Sequence, residues 1–306
     1  MGINLSHKKF KEIDLSDSFF DSLRSDYPGF DNWFARKREQ DAYVQYDKFG
    51  KLTGFLYLKI ENQCVMDISP PLIADKILKV GTFKINAHGT KMGEQFIKII
   101  MDYALNENID VCYVTTFNKQ KGLIKLITQF GFYKYGIKKN NSIHEEVFIK
   151  DMHSITGNLC FDYPKINYMN KRKYLLSIYP KYHSVMFPDS ILTTENKDII
   201  TDISYTNSIH KIYVCSIYGV ENLKNGDIIV VYRTGEANKN AEYSAVATSI
   251  CVVEEVRLQS SFKNFNEFFA YANAYSVFDR SDLYHWYSRG NLKTIKLTYT
   301  TLQLYP

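Results

Sequence analysis

The segment 88–93, which reads HGTKMG, combines residue types that suit an anion-binding loop. It follows an apolar, strand-like run at 78–87 and leads into a helical stripe of apolar residues spaced three and four apart. The start of a helix offers free backbone N–H groups and the positive end of the helix dipole. The spacing therefore predicts a pyrophosphate cradle, or else a plain turn between strand and helix. The candidate residues are His88, Gly89, Thr90, Lys91, Met92 and Gly93.

The elements that would hold this loop follow a mixed order of strands and helices. Alternating apolar residues and turn signals predict strands at 10–15, 41–46, 51–60, 78–87, 110–116, 133–137 and 145–149. Helical periodicity predicts three helical segments. The first covers 17–40 with a break at 27–29, the second follows the loop, and the third covers 122–129. This order predicts an α/β domain at 1–151, in which helices cover both faces of a mixed sheet.

With these elements in order, residues Lys9 to Lys150 resemble the GNAT family of N-acetyltransferases. The resemblance rests on the opening strand and broken helix, the hairpin ending in Gly54-Phe55-Leu56-Tyr57-Leu58, the strand-loop-helix at 80–103, and the helix ending in Gly131-Phe132. It implies acetyl-CoA as the acyl donor, held through the backbone amides of the loop. The family loop is Arg/Gln-x-x-Gly-x-Gly/Ala. Here His88, Lys91 and Gly93 take the three defined positions, so two of them depart from the family.

The resemblance also implies a catalytic gap between two splayed strands, at 82–85 and 111–115. The oxyanion donor would be a backbone N–H among Phe83, Lys84 and Ile85. Many family members place a tyrosine acid four residues before the Gly-Phe pair, where this chain has Ile127. Either Tyr133 or Tyr135 replaces that acid, or positioning alone suffices. The general base stays open among Glu61, Asp67, Asp75 and His88.

The second half of the chain differs in character. Residues 152–175 lack periodicity and are predicted as a connection, and 176–306 as a small β-rich domain. Residues Ile209 to Tyr299 resemble the PUA-like superfamily, which includes ASCH and EVE domains. The resemblance rests on the succession of elements: a strand, a Gly-Asp turn, a strand pair, a helix and a closing strand. That resemblance implies a pseudobarrel that binds RNA or a modified base. The candidate contacts are Tyr232, Arg233 and Tyr243, with core packing as the alternative role.

Composition sets broad limits on function. The chain has 306 residues, a net charge of +5 and five widely separated cysteines, which look like reduced core thiols. No segment predicts a membrane span, a secretory signal or a metal site, so we expect a cytoplasmic protein. Three hypotheses remain: an acetyltransferase that acts on RNA or tRNA, with a toxin-like role as one version; an acetyltransferase for proteins or small amines whose barrel is a scaffold; and an inactive module that binds acyl-CoA or RNA.

Overall fold

The computed structural model describes residues 5–86, 90–140, 143–190, 204–235 and 245–301. The chain divides into two compact units, Met1–Ser154 and Ile155–Pro306. Three predicted site residues, His88, Gly89 and Tyr243, lie outside the described residues. No helix within the described ranges is long and apolar enough to cross a membrane.

The first unit contains a seven-stranded sheet in the order β1-β2-β3-β4-β5-β7-β6. Only β4 and β5 pair in parallel, and every other neighbouring pair is antiparallel. The strands are β1 (Leu5–Lys9), β2 (Asp41–Tyr46), β3 (Leu52–Val65), β4 (Leu72–Ile85), β5 (Val111–Thr116), β6 (Tyr133–Asn140) and β7 (Ile143–Asp151). The predicted first strand at 10–15 is wrong, because Phe10–Glu12 forms a 3-10 turn that buries Phe10 and Ile13 three residues apart.

Helices cover both faces of this sheet. They are α1 (Asp21–Asp26), α2 (Phe30–Arg36), α3 (Met92–Asn106) and α4 (Lys121–Gln129). Phe55 and Leu56 are consecutive in β3 and therefore point to opposite faces. Phe55 contacts Phe20 beside α1, whereas Phe83, directly opposite Leu56, contacts Phe96 of α3. The predicted mixed α/β arrangement is confirmed.

Aromatic rings form the core beneath α1 and α2. Phe20 is fully buried and contacts four other rings, those of Phe19, Phe30, Phe34 and Phe55. We expect Phe20→Ala to lower the free energy of unfolding by about 3–5 kcal/mol, because it removes a buried ring and leaves a cavity. Urea denaturation measures this change. Phe49→Ala is the control, since Phe49 is 83% exposed, and an equal loss in both variants would contradict the packing described here.

The second unit contains a five-stranded mixed sheet in the order β8-β10-β11-β12-β9. Its strands are β8 (Lys173–Ile178), β9 (His210–Cys215), β10 (Ile228–Arg233), β11 (Val246–Leu258) and β12 (Lys293–Thr301). Its helices are α5 (Leu159–Asp162), α6 (Pro180–Met186), α7 (Ser204–Asn207), α8 (Phe265–Ala272) and α9 (Arg280–Ser288). Over the described ranges the sheet is open, with β8 and β9 at its edges. Residues 152–175, predicted as a connection, include α5 and the start of β8, which pairs with β10.

Candidate active site

The two parallel strands of the first sheet separate partway along their length. β4 and β5 pair from Ile77 opposite Val111 to Val80 opposite Val114, and no further. Beyond that point β4 follows β3 as far as Ile85, and β5 follows β7 as far as Thr116. Because each strand keeps its outer neighbour, the sheet opens a wedge between residues 81–85 and 115–116. We call this wedge the strand gap.

A β-bulge marks the point where the strand gap begins. Leu58 lies opposite Val80 and Tyr57 lies opposite Thr82, so Gly81 is the extra residue in β4. A Cβ atom at Gly81 would lie 2.6 Å from Cδ1 of Tyr57, closer than packed atoms allow. Bulges bend a strand and redirect its backbone. Gly81 therefore permits the bend with which β4 leaves β5.

The register of β3 and β4 shows which backbone groups face the strand gap. The N–H of Asn86 donates to the carbonyl of Thr53 at 2.9 Å. Hydrogen-bonded residues alternate along an antiparallel pair, so Lys84 also directs its backbone groups to β3. Phe83 and Ile85 consequently direct their N–H and C=O groups into the gap. The side chain of Lys84 is engaged elsewhere. Its Nζ donates to Ser22 Oγ at 2.5 Å and also to the Phe19 carbonyl.

Helix α3 begins soon after β4, at the place where the sequence predicts the anion site. Lys91 is its N-cap at φ +54°, a left-handed conformation that glycine adopts most easily. Its Nζ lies 3.8 Å from Glu94 Oε1. Met92 is buried and Thr90 partly buried. A Cβ at Gly93 would lie 2.8 Å from Cδ2 of Leu126, so Gly93 allows α3 and α4 to approach closely.

A buried carboxylate lies one strand from the strand gap. Glu145 of β7 is 8% exposed, and its Oε1 accepts hydrogen bonds from the Tyr27 hydroxyl at 2.7 Å and from Thr115 Oγ1 at 3.1 Å. Burial, and next the negative charge of Glu145, raise the pKa of Tyr27. Tyr27 thus keeps its proton at neutral pH. Thr115 belongs to the part of β5 that has separated from β4.

A second polar pair lies on the same face of the sheet, where β4 and β5 are still joined. The Tyr113 hydroxyl donates to Glu61 Oε2 at 2.5 Å, and Lys59 Nζ donates to Glu61 Oε1 at 2.9 Å. Burial opposes ionisation of Glu61, but these two hydrogen bonds, together with the charges of Lys79 and Lys59, lower its pKa. Burial, and next the charge of Lys138, lower the pKa of Lys79, which is aligned with Tyr113. Glu61 is therefore a carboxylate held by its neighbours.

The other candidates for acid and base lie apart from the strand gap. Tyr133 and Tyr135 belong to β6, the edge strand, which β7 and β5 separate from β4. Tyr133 is exposed, and the Tyr135 hydroxyl donates to the Pro71 carbonyl at 2.8 Å. Asp67 pairs with Lys138, and Asp75 is exposed. The structure thus brings together Phe83, Ile85 and the start of α3, but not these side chains.

The candidate RNA contacts of the second unit are consecutive in β10. Tyr232 is partly buried, whereas Arg233 is only 1% exposed. This burial favours core packing, the alternative role of Arg233, over a phosphate contact at the surface. Strand alternation places one of two consecutive side chains inward, and in β10 that residue is the arginine.

Sequence reasoning missed Tyr27 and Glu145 as a pair. They lie 118 positions apart and meet only when the helix break at 27–29 is folded over β7. The break itself, with Pro28 and Gly29, was visible in the sequence. No local pattern links this helix break to Glu145, which lies near the start of β7.

Comparisons with protein-family models and with curated proteins each gave no match. Among solved structures, a GNAT family acetyltransferase from Elizabethkingia anophelis with acetyl-CoA bound is 13% identical, covering 49% of this chain and 98% of its own, with a TM-score of 0.35. An N-acetyltransferase from Staphylococcus aureus is 12% identical. The match covers 49% of this chain and 98% of that one, with a TM-score of 0.36. An N-acetyltransferase from Campylobacter jejuni in complex with acetyl coenzyme A is 12% identical, with coverages of 48% and 99% and a TM-score of 0.32. These similar structures are acetyltransferases and correspond to the N-terminal half of the chain.

Proposed function

We propose that the first unit is an N-acetyltransferase that takes its acyl group from acetyl-CoA. The observation that carries this proposal is the strand gap, which opens at the Gly81 bulge and leads toward the start of α3. The pantetheine arm of coenzyme A is extended and contains amides, so it can pair with the backbone groups of Phe83 and Ile85 as an added strand would. The first N–H groups of α3, including those of Met92 and Gly93, suit its pyrophosphate.

The residues around the strand gap supply the remaining chemistry. When bound, the acetyl thioester provides an electrophilic carbonyl. The backbone N–H of Phe83 or Ile85 hydrogen-bonds to the oxygen on which negative charge develops. Glu145 removes a proton from the acceptor ammonium, so that the amine nitrogen can attack the thioester carbonyl. The carbon–sulfur bond then breaks, and the leaving thiolate takes the second proton from the attacking nitrogen. Tyr27 and Thr115 hold the Glu145 side chain in place through their hydrogen bonds to its Oε1 atom.

The acceptor is proposed to be an amine of RNA, as on a nucleobase or an aminoacyl-tRNA, recruited by the second unit. Recruitment of RNA rests on the PUA-like order of elements at 209–299, which also implies the pseudobarrel fold. A toxin-like role is one version of this function, and a cytoplasmic location is part of the proposal because the sequence predicts no secretory signal. Among the described contact candidates, Tyr232 keeps a partly accessible ring for stacking. A protein or small-amine acceptor, and an inactive binding module, are the competing functions.

Transfer of label from acetyl-CoA distinguishes these acceptors. The full chain is incubated with labelled acetyl-CoA and with separated RNA, protein and small-amine fractions. We expect label in RNA, and in tRNA in particular if aminoacyl groups are modified. Label confined to protein or small amines would contradict the RNA acceptor, and no turnover in any fraction would contradict the enzyme proposal.

A further inference from the structure

A cysteine, a histidine and a glutamate meet in the second unit. Cys160 Sγ lies 4.0 Å from His210 Nε2, and His210 Nδ1 lies 2.5 Å from Glu254 Oε1. The imidazole thus connects a thiol on one side to a carboxylate on the other. A nucleophile, a base and a group that orients the base make up the arrangement used in covalent acyl transfer. From this geometry we assign the imidazole proton to Nδ1, which faces the carboxylate of Glu254.

Glu254 is suited to hold the histidine. Its Oε1 also accepts a hydrogen bond from Thr298 Oγ1 at 2.9 Å, and its Oε2 lies 2.7 Å from Lys296 Nζ. Burial opposes ionisation, but the contacts with His210 and Lys296 lower the pKa of Glu254 to about 2. Glu254 is therefore a carboxylate at any pH near neutral. Because Glu254 pairs with Nδ1, the imidazole is oriented with Nε2 toward the Cys160 thiol.

The short helix α5, which carries Cys160, and the turn before it are held by their own hydrogen bonds. Asn158 Oδ1 accepts from the backbone N–H groups of Cys160 at 3.0 Å and Phe161 at 3.1 Å. The carboxylate of Asp162, itself 8% exposed, accepts from the N–H and Oγ1 of Thr156, both at 2.7 Å, and from the N–H of Gly157 at 2.8 Å. These contacts fix the position of the thiol before any ligand binds.

An open cavity of about 330 Å³ adjoins the thiol. Its lining includes Cys160 and Glu254 together with Leu159, Asn225, Glu255 and Lys296. Cys160 is partly exposed, whereas Cys112, Cys215 and Cys251 are buried. The sequence-based description of core thiols is therefore confirmed for those three cysteines, but it does not fit Cys160. The cavity has room for a small acyl group beside the sulfur.

We propose that Cys160 is a nucleophile for small carboxylic esters, with His210 as its base and Glu254 as a positioning residue. His210 Nε2 accepts the thiol proton, and the sulfur attacks the carbonyl carbon of the ester. The carbon–oxygen bond to the leaving alcohol breaks, and that alcohol takes the proton from His210. Water then attacks the thioester, giving its proton to His210 and releasing the acid, and the proton returns to the sulfur. This activity is independent of acetyl-CoA and of the strand gap.

The test treats the full chain with p-nitrophenyl acetate in the absence of acetyl-CoA. We expect release of p-nitrophenolate and an acetyl group on the Cys160 peptide in mass spectra. Cys64, the other cysteine that is not buried, is the internal control because it belongs to the first unit and contacts only Met66 among the described hydrogen bonds. We expect Cys160 to be acetylated at least about tenfold faster than Cys64 near pH 7, since a histidine base contributes about 10²–10⁴-fold to such steps.

Three variants separate the proposed roles from simple exposure of a thiol. Cys160→Ser should abolish the fast acetylation, and Cys64→Ser should leave it unchanged. Glu254→Gln should slow the reaction at Cys160 at least about tenfold and move its pH profile, because His210 loses the carboxylate that fixes its tautomer. Thermal unfolding checks that each variant is folded. Equal rates at Cys160 and Cys64, or an unchanged rate and pH profile in folded Glu254→Gln, would overturn the proposal.

Discussion

Glu145→Gln should reduce the turnover of acetyl transfer by about 10²–10⁴-fold, the usual contribution of a general base. Gln has nearly the same shape, and its amide oxygen can still accept from Tyr27 and Thr115, so the packing around position 145 is retained. It cannot remove a proton from an ammonium group. Affinity for acetyl-CoA should stay unchanged, because Glu145 lies one strand from the strand gap. Steady-state kinetics with a binding titration measures both quantities.

Glu146→Gln is the matched control for this variant. Glu146 is the next residue of β7, points to the opposite face and pairs with Lys134 Nζ at 2.6 Å. We expect turnover close to that of the unaltered chain. Equal losses in both variants, or normal turnover in Glu145→Gln, would remove Glu145 from the proposed mechanism and leave the acyl-CoA proposal standing.

Gly81→Val should weaken acetyl-CoA binding at least tenfold, about 1.4 kcal/mol. The added Cβ would lie 2.6 Å from Cδ1 and 3.0 Å from Cε1 of Tyr57, a buried ring, so either the ring or the bulge must move. Moving the bulge changes the direction of residues 82–85 and with it the backbone groups that face the strand gap. The same crowding should lower the free energy of unfolding by about 1–3 kcal/mol. Calorimetric titration well below the unfolding temperature measures the binding.

Gly122→Ala provides the control for a glycine substitution in the same unit. A Cβ at Gly122 meets no atom within 4 Å, and the residue belongs to α4. We expect unchanged affinity and a gain in stability of about 0.5–1 kcal/mol, because alanine favours the helix. If Gly81→Val binds acetyl-CoA as tightly as Gly122→Ala does, the bulge does not shape the binding site.

Much of the first unit could be predicted from local patterns. The hairpin around 47–50, the strand before the glycine loop and the helix stripe after it each depend on spacing within one segment. The long ends of β3 and β4, up to Val65 and from Leu72, were missed because charged and polar residues interrupt their alternation. Strand β8 was missed for a different reason: its partner β10 lies more than fifty residues further along the chain, so no hairpin signal marks it.

The candidate site was predictable only where it is built from backbone. Phe83 and Ile85 contribute N–H groups whatever their side chains, so the position of the strand was enough to find them. The position of Glu145 is set by Tyr27 and Thr115, which reach it from other elements, so its proposed role could not be predicted from its own segment. The same holds for Cys160, whose histidine and glutamate follow 50 and 94 positions later. Clusters assembled by long-range contacts leave no trace in local spacing.

Hydrogen exchange with and without acetyl-CoA tests the central claim, that the strand gap binds the acyl donor. The backbone amides of Phe83 and Ile85 face the gap and should exchange more slowly once acetyl-CoA pairs with them. Those of Met92 and Gly93, at the start of α3, should also slow. Amides in β9, in the second unit, serve as the reference. We expect protection at Phe83, Ile85, Met92 and Gly93 and none in β9. Unchanged exchange at Phe83 and Ile85 under saturating acetyl-CoA would contradict binding in the strand gap.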